Sequence, residues 1–277
     1  MIKLPYFDAL LASLERGDPV VERAFGRHVH WGYWPEPQAA ELTPEAFAAA
    51  AEALTREVCR AAAIGDGQRV LDAGCGFGGT VASLNENHAY MDLCGLNIDR
   101  RQLRRARRQV AARPGNRICF VAGDACALPF ADRSFDAVVA VECIFHFPDR
   151  RRFFAEARRV LKPGGRLALS DFVSTAPLLP VTLWSRLGIG GGFYGRCDLS
   201  YTRGGYRRLA EAAGFVVETE RDITAGTLPT YSFLRRFGGA LQVDAAAIAE
   251  TGFAELVSRL RLLRYMIYGF RAPDGNG

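Results

Sequence analysis

A run of alternating glycines between an apolar stretch and a helical stretch constrains this chain more than any other feature. Residues 70–79 read Val-Leu-Asp-Ala-Gly-Cys-Gly-Phe-Gly-Gly, so that Asp72 ends the apolar run and Gly74, Gly76 and Gly78 follow it. Glycine lets the main chain turn tightly and lets a ligand approach it closely. The pattern predicts a strand–turn–helix unit with a ligand-binding loop, although some turns of this kind hold no ligand.

Strand-like and helix-like patterns alternate through the middle of the chain. Apolar runs predict strands at 69–73, 91–98, 117–122, 135–141, 165–172, 215–221 and 265–270. Helical patterns lie between them at about 79–87, 100–112, 150–161 and 203–213. Residues 161–165, Leu-Lys-Pro-Gly-Gly, read as a helix stop before the next strand. We therefore expect an α/β fold with a Rossmann-like, seven-stranded, mostly parallel sheet and helices on both faces.

The segments on either side of this core depart from the alternation. Residues 4–15 place apolar side chains on one helical face, and an alanine-rich helix follows at about 43–63. Over residues 173–202, prolines, glycines and aromatic residues interrupt the alternation of strand-like and helix-like patterns. This interruption suggests an insertion over the sheet. The predicted segments are an N-terminal helical lid (1–64), a core (65–172), and a cap insertion with the C-terminal completion of the same domain (173–277).

Composition narrows the class of protein. The 35 basic and 30 acidic residues give a net charge of +5, which is too diffuse to indicate a nucleic-acid partner. The seven cysteines form no Cys-x-x-Cys pair, so we expect reduced thiols in a cytoplasmic protein; no metal site is expected. We find no signal-peptide pattern and no apolar run long enough to predict a membrane span. A homo-oligomer stays an open alternative.

Two predicted helical stretches, 100–108 and 150–159, are rich in arginine. We interpret both as solvated helix faces in an arginine-rich chain. The alternative is that these arginines bind RNA or a diphosphate-bearing substrate, but no dedicated nucleic-acid module accompanies them.

Polar residues follow the next two predicted strands. Asn97 and Asp99 come about twenty residues after the glycines, where such folds place a ribose-binding side chain. Asn97 can donate to and accept from hydroxyls, whereas Asp99 is also a good N-cap for the following helix. Asp124 follows the third strand, where its carboxylate can accept from an exocyclic amine or serve as a turn residue. These strand ends predict one ligand crevice at the carboxyl edge of the sheet.

The ordered set of motifs resembles the class I S-adenosyl-L-methionine (SAM) dependent methyltransferases of the small-molecule branch, including the sterol, tocopherol, geranyl-diphosphate and natural-product enzymes. The similar stretches are 70–79, 95–98, 123–130, 135–140 and 159–165. The resemblance implies SAM near Asp72 and Gly74, with its ribose near Asn97 and its adenine near Asp124 and Ala125. The product of the reaction is then S-adenosyl-L-homocysteine (SAH).

The resemblance extends to further cofactor positions. Many members carry an acid where this chain has Asn97, but the sterol- and tocopherol-type enzymes tolerate neutral residues there, and Gln102 also looks like theirs. Val141, at the end of the fourth strand, is a further predicted contact. The aromatic loop at 31–34 resembles one that covers SAM in the same subgroup, which implies such a role for Tyr33 and Trp34. Packing inside a lid is the alternative.

The loop after the fourth strand supplies the candidate catalytic residues, Glu142 and His146. His146 is a candidate base, and the alternative is that it caps the loop or packs against the cofactor. Glu142 is a candidate for stabilising a cation or binding substrate, or for holding the loop. A further set of aromatic residues can line an apolar acceptor pocket or form plain cap core. These are Trp184, Phe193, Tyr194, Tyr201 and Tyr231.

These observations predict in-line methyl transfer from SAM to a small, hydrophobic or aromatic natural-product or isoprenoid-like acceptor. Two alternatives stay open, a SAM-binding regulatory protein without catalysis and an RNA methyltransferase. The Gly-Asp-Ala stretch at 123–125 argues against an NAD-type dehydrogenase.

Overall fold

The computed structural model describes residues 4–186, 194–239 and 245–274, except for the side chains of 184–186. The helices are α1 (Pro5–Glu15), α2 (Pro19–Phe25), α3 (Pro44–Ala61), α4 (Gly79–Asn87), α5 (Arg100–Gln109), α6 (Arg150–Val160), α7 (Leu179–Arg186), α8 (Arg203–Ala212), α9 (Thr224–Phe237) and α10 (Ala245–Arg259). The strands are β1 (Arg69–Ala73), β2 (Asp92–Asn97), β3 (Arg117–Ala122), β4 (Phe135–Val141), β5 (Leu161–Ser174), β6 (Val216–Asp222) and β7 (Leu263–Arg271).

The seven strands form one sheet in the order β3-β2-β1-β4-β5-β7-β6. Strand β1 pairs in parallel with β2 and β4, β2 pairs in parallel with β3, and β4 pairs in parallel with β5. The predicted α/β fold with a seven-stranded, mostly parallel sheet is confirmed. Because β1 to β4 run in the same direction, their carboxyl ends meet at one edge, where open α/β sheets bind ligands.

Strand β5 begins earlier than the sequence predicts. Residues 161–165 are part of the strand and not a stop before it. Leu161 pairs with Phe135 directly after α6, and the next pair is Arg166 with Ala137, so the intervening residues form an irregularity in the ladder. Gly164 adopts a left-handed φ of 73° in this irregularity, which other residues rarely tolerate.

The chain divides into two compact units, each built from three stretches. Unit 1 comprises residues 1–53, 172–203 and 222–266, and unit 2 comprises residues 54–171, 204–221 and 267–277. The division into segments 1–64, 65–172 and 173–277 stays a prediction.

Each unit has its own apolar core. In unit 2, the central strand β4 is buried along both faces, as is usual for parallel sheets. In unit 1, the rings of Phe47 and Phe233 stack with centroids 4.3 Å apart, and Ala24, Trp34 and Ala50 complete their cluster.

None of the helices within the described ranges combines the length and the apolar character that a membrane crossing requires. In the same part of the chain, no group of three or more His, Cys, Asp or Glu side chains is arranged to hold a metal ion. The seven cysteines are free thiols.

Candidate active site

The glycine loop between β1 and α4 is the first part of the candidate site. Gly74, Gly76 and Gly78 all adopt left-handed φ angles, of 91°, 52° and 83°. A side chain at Gly74 would also bring a Cβ within 2.7 Å of Cys143 Sγ. The amides of Gly74 and the following residue both donate to the carbonyl oxygen of Leu96, at 2.8 and 3.0 Å, which ties the loop to β2. The alternating glycines are therefore required by the backbone and by the space around it.

Asp72 places a buried carboxyl at the end of β1. Its side chain is bonded to the Thr80 hydroxyl at the start of α4, and burial raises its pKa to about 7. Within the described residues, no group hydrogen-bonds to its buried Oδ2 atom. A buried carboxylate oxygen without a partner is costly unless a ligand supplies a donor or a cation. The unpartnered oxygen of Asp72 therefore suits a ligand ammonium group, which SAM carries.

Asn97 at the end of β2 and Gln102 in the first turn of α5 are both buried, and the Asn97 Nδ2 atom donates to Gln102 Oε1 at 3.0 Å. The Asn97 Oδ1 atom accepts from the Asp99 amide at 3.0 Å. Asp99 is the N-cap of α5, since its carboxylate accepts from the Arg101 amide at 2.8 Å. Asp99 therefore serves as the helix cap, and the two amide side chains form a fixed polar pair beside the glycine loop.

Asp124 and Ala125 begin the connection from β3 to β4. The exposed Asp124 carboxylate accepts from the Cys126 amide at 2.8 Å through Oδ1, while Ala125 is buried. The Asx turn that this bond makes fixes the orientation of the carboxylate.

Val141, Glu142 and His146 follow one another at the end of β4. Val141 is buried, and Glu142 has a left-handed φ of 51°. The Glu142 amide donates to Ser170 Oγ at 3.1 Å, which holds this conformation. His146 ends a short 3-10 helix (Ile144–His146), is half-buried and packs its ring edge-on against Phe145 at 4.4 Å. Backbone strain of the kind seen at Glu142 is often found at functional sites.

The structure thus brings most predicted residues of the core to the carboxyl edge of the sheet in unit 2. They are Asp72, Gly74, Gly76, Gly78, Asn97, Gln102, Asp124, Ala125, Val141, Glu142 and His146.

Two other predicted cofactor residues, Tyr33 and Trp34, belong to unit 1. Tyr33 is half-buried, and its amide donates to the Ala50 carbonyl at 2.8 Å. The Trp34 amide donates to the Gly226 carbonyl at 2.8 Å, and its ring lies in the core cluster of unit 1. A Cβ on Gly226 would come within 2.6 Å of Tyr33 Cδ2. The loop therefore packs tightly against α3 and α9.

The predicted acceptor residues have unlike environments within unit 1. Tyr231 is fully buried, with its hydroxyl 2.9 Å from Ser258 Oγ and its ring edge-on to Trp31. Tyr194 is half-buried and bonded to Thr251 at 2.8 Å, and Tyr201 is half-buried. Phe193 and the side chain of Trp184 lie outside the described residues.

Sequence reasoning missed several residues that support the site. Thr80 gives no sequence signal beyond its place in the first turn of α4. Arg150 was predicted on a solvated face, and this is wrong because its side chain is buried. It makes an ion pair with Asp171 at 3.0 Å and a hydrogen bond with the Tyr206 hydroxyl at 3.1 Å. Helical periodicity places Arg150 with Phe153 and Ala157 on the buried face of α6, a signal that the run of arginines conceals.

The chain is similar to several known proteins. Residues 71–169 match the family model described as "Methyltransferase domain". The chain is 34% identical to "Methyltransferase GfsG" of Streptomyces halstedii over 222 residues, covering 78% of this chain and 76% of that protein. It is 31% identical to "27-O-demethylrifamycin SV methyltransferase" of Amycolatopsis mediterranei over 268 residues, covering 92% and 93%.

A solved structure, "Crystal Structure of the [4+2]-Cyclase SpnF", has the same fold. It superposes with a TM-score of 0.73 at 23% identity and covers 99% of this chain and 98% of that one. At this level of identity the likeness concerns the fold alone. The sequence relatives and the matching family model show that the chain belongs to the class I SAM-dependent methyltransferases. SAM is the methyl donor of this family.

Proposed function

We propose that this protein transfers the methyl group of SAM to a hydroxyl oxygen of a small, apolar natural product. The observation that carries the proposal is the buried Oδ2 atom of Asp72, which has no partner in the described part of the chain and lies beside a loop of three left-handed glycines. The choice of acceptor is supported by the relative named as a 27-O-demethylrifamycin SV methyltransferase, which aligns over 92% of this chain.

The roles of the core residues follow from their positions. Asp72, with Thr80, binds the ammonium group of the donor, and the glycines leave room for its methionine chain. Asn97 and Gln102 bind the ribose hydroxyls. Asp124 and Ala125 bind the adenine edge, and Val141 packs against the donor at the end of β4.

The chemical step needs little activation, because a sulfonium methyl is already electrophilic. The acceptor oxygen forms a bond to the methyl carbon while the carbon–sulfur bond breaks and its electron pair stays on sulfur. His146 takes the hydroxyl proton, and Glu142 stabilises the cationic imidazolium that results. The roles expected for Tyr33, Trp34, Tyr194, Tyr201 and Tyr231 stay predictions, and Phe193 and the side chain of Trp184 lie outside the described residues.

Titration calorimetry with SAH and a transfer assay with methyl-labelled SAM test this function. We expect SAH to bind with a one-to-one stoichiometry, and label to enter a compound containing a hydroxyl in a panel of polyketide, phenolic and terpenoid acceptors. Failure of the intact protein to bind either SAM or SAH would remove the proposal. Tight binding without transfer to any acceptor would instead favour a SAM-binding protein without catalysis.

A further inference from the structure

The connection from β3 to β4, residues 123–134, is supported by side chains of another element. In the sheet order, this crossover must pass β2 and β1 to reach β4. All of it is described, and no helix forms within it. A helix satisfies its own main-chain groups, whereas an irregular crossover must find partners for them elsewhere.

Glu156 and Arg159 of α6 supply these partners. The Leu128 amide donates to Glu156 Oε2 at 2.7 Å, and the Leu128 carbonyl accepts from Arg159 Nη2 at 2.9 Å. Arg159 Nη1 also donates to the Phe130 carbonyl and to Asp132, both at 2.8 Å. One guanidinium therefore holds three points of the crossover.

The two side chains also hold each other in a bidentate pair. Arg159 Nε and Nη2 donate to the two Glu156 carboxylate oxygens at 2.9 and 2.7 Å. The hydrogen bond from Arg159 is the main reason that the pKa of Glu156 lies below its usual range. A fork-to-fork pair fixes both side chains more firmly than a single contact does.

The same crossover begins with Asp124 and Ala125, four and three residues before Leu128. The Asp124 carboxylate is oriented by the Cys126 amide at 2.8 Å, and the Cys126 thiol donates to the Asp149 carbonyl at 3.2 Å. The Ala127 amide also donates to the Asp124 carbonyl at 3.0 Å, so we expect a shift of Leu128 to move the carboxylate.

We propose that Glu156 and Arg159 are positioning residues that set the selectivity of this protein for the adenine base of its donor. They do not touch the base; they hold the crossover so that Asp124 can accept from the exocyclic amine. This inference rests on the proposed function, which puts adenine beside Asp124. It corrects the prediction that the arginines of α6 are only a solvated face.

The test compares binding of SAH with binding of S-inosylhomocysteine, in which a carbonyl oxygen replaces the exocyclic amine. The wild-type protein should bind SAH more tightly, because the carbonyl of hypoxanthine cannot donate to Asp124. Arg159→Ala should weaken SAH binding by roughly tenfold and leave binding of the inosine analogue nearly unchanged, so that the selectivity ratio collapses. A merely structural loss would weaken both ligands equally and leave the ratio intact.

The chain offers a matched control in Arg158, the preceding residue of α6. Within the described residues, Arg158 makes no hydrogen bond to the crossover, so Arg158→Ala should keep the wild-type ratio. Arg159→Lys keeps the charge but cannot span the same three acceptors, and Glu156→Gln loses the charged pair; both should lower the ratio by a smaller factor. If Arg159→Ala does not fold, the selectivity ratios of Arg159→Lys and Glu156→Gln test the positioning role instead.

The outcomes separate this inference from the function beneath it. If the wild-type protein bound both ligands equally, the adenine site at Asp124 would be wrong, and this inference with it. If the wild-type protein discriminated but Arg159→Ala, Arg159→Lys and Glu156→Gln all kept its ratio, only the positioning role would be overturned.

Discussion

Asp72 carries a carboxyl whose protonation is set by burial. Its pKa is raised to about 7, while that of an aspartate in the unfolded chain stays near its usual value of ~3.9. In the ligand-free protein the carboxyl is therefore largely protonated below neutral pH. An ammonium ligand favours the ionised carboxylate, so binding must release this proton in acidic solution.

The affinity for SAH should consequently depend on pH. We expect SAH binding to weaken by up to about tenfold for each pH unit below 7 and to be level above about pH 8. Titration calorimetry in buffers of different ionisation enthalpy measures both the affinity and the proton released. Asp72→Asn is the control, since an amide cannot titrate. A wild-type affinity that did not change between pH 5.5 and pH 8 would exclude the carboxylate from the ammonium site.

His146 should affect the chemical step more than donor binding. We expect His146→Ala to reduce kcat by about 100-fold, the lower range for loss of a general base, and to change the SAH dissociation constant little. Single-turnover transfer and SAH calorimetry separate the two quantities. Equal turnover in the variant and the wild-type protein would show that His146 only supports the loop.

At the scale of the elements, helices hold loops in place, as α9 does for the aromatic loop at 31–34. Along α9, Thr230 Oγ1 accepts from the Gly32 amide at 3.2 Å, and the Gly226 carbonyl accepts from the Trp34 amide at 2.8 Å. The Tyr33 amide between them donates to Ala50 of α3. Three successive amides of the aromatic loop are therefore fixed by two helices.

Gly226→Ala should loosen this loop. The added methyl group meets the Tyr33 ring and the Trp34 carbonyl oxygen, and such overpacking costs about 1–3 kcal/mol. We expect a lower free energy of unfolding, which denaturant unfolding measures. Gly239→Ala is the control for replacing a glycine by alanine without a clash, because a Cβ at Gly239 meets no atom within 4 Å. If the methyl group is harmful because of the ring, the double variant with Tyr33→Ala should recover part of the loss.

The buried pair between α6 and β5 should matter more for stability than exposed ion pairs do. Asp171→Asn leaves the Arg150 guanidinium buried without its counter-charge, which costs about 3–5 kcal/mol. Denaturant unfolding measures this loss. Glu45→Gln, which removes an exposed partner of Arg23, should change the unfolding free energy little. Similar effects for the two variants would contradict the importance of burial.

The elements differ in how well the sequence predicts them, for physical reasons. Strands β1, β3 and β4 begin and end where predicted. Strands β1 and β4 are buried parallel strands, which read as apolar runs between polar residues. Strand β3 lies at the edge of the sheet and is not buried, yet its residues between Arg117 and Ala122 still form an apolar run. Helix α9 was missed because it contains Pro229 and several small residues that obscure its periodicity. The contacts of Arg159 could not be foreseen, since they depend on a crossover about thirty residues away in sequence.

On the scale of the whole molecule, the residues proposed to hold the donor come largely from one unit. Asp72, Asn97 and Asp124 all belong to unit 2. The sequence motifs of the core could therefore identify the donor site. The residues predicted to bind the acceptor belong to unit 1, where aromatic side chains also form the core of that unit, and a sequence alone does not separate packing from binding.

SAH should raise the stability of the protein through this donor site. A ligand present at 100 times its dissociation constant adds about 2.7 kcal/mol to the free energy of unfolding if only the folded state binds it. Scanning calorimetry with and without SAH measures the shift. If the two units melted separately, the transition that includes unit 2 should move. A shift confined to the other transition would place the donor site in unit 1.

The interleaving of the two units has a consequence for protein engineering. The chain passes between them after residues 53, 171, 203, 221 and 266, so neither unit is a continuous stretch that a single cut can release. A chimera that exchanges unit 1 with that of a relative must transplant its three stretches together and rejoin the chain at all five of these junctions. All five junctions fall inside a helix or a strand, namely α3, β5, α8, β6 and β7, where a mismatched helix phase or strand register would turn buried side chains outward. Libraries that recombine such enzymes should therefore keep the residue spacing through these five elements constant.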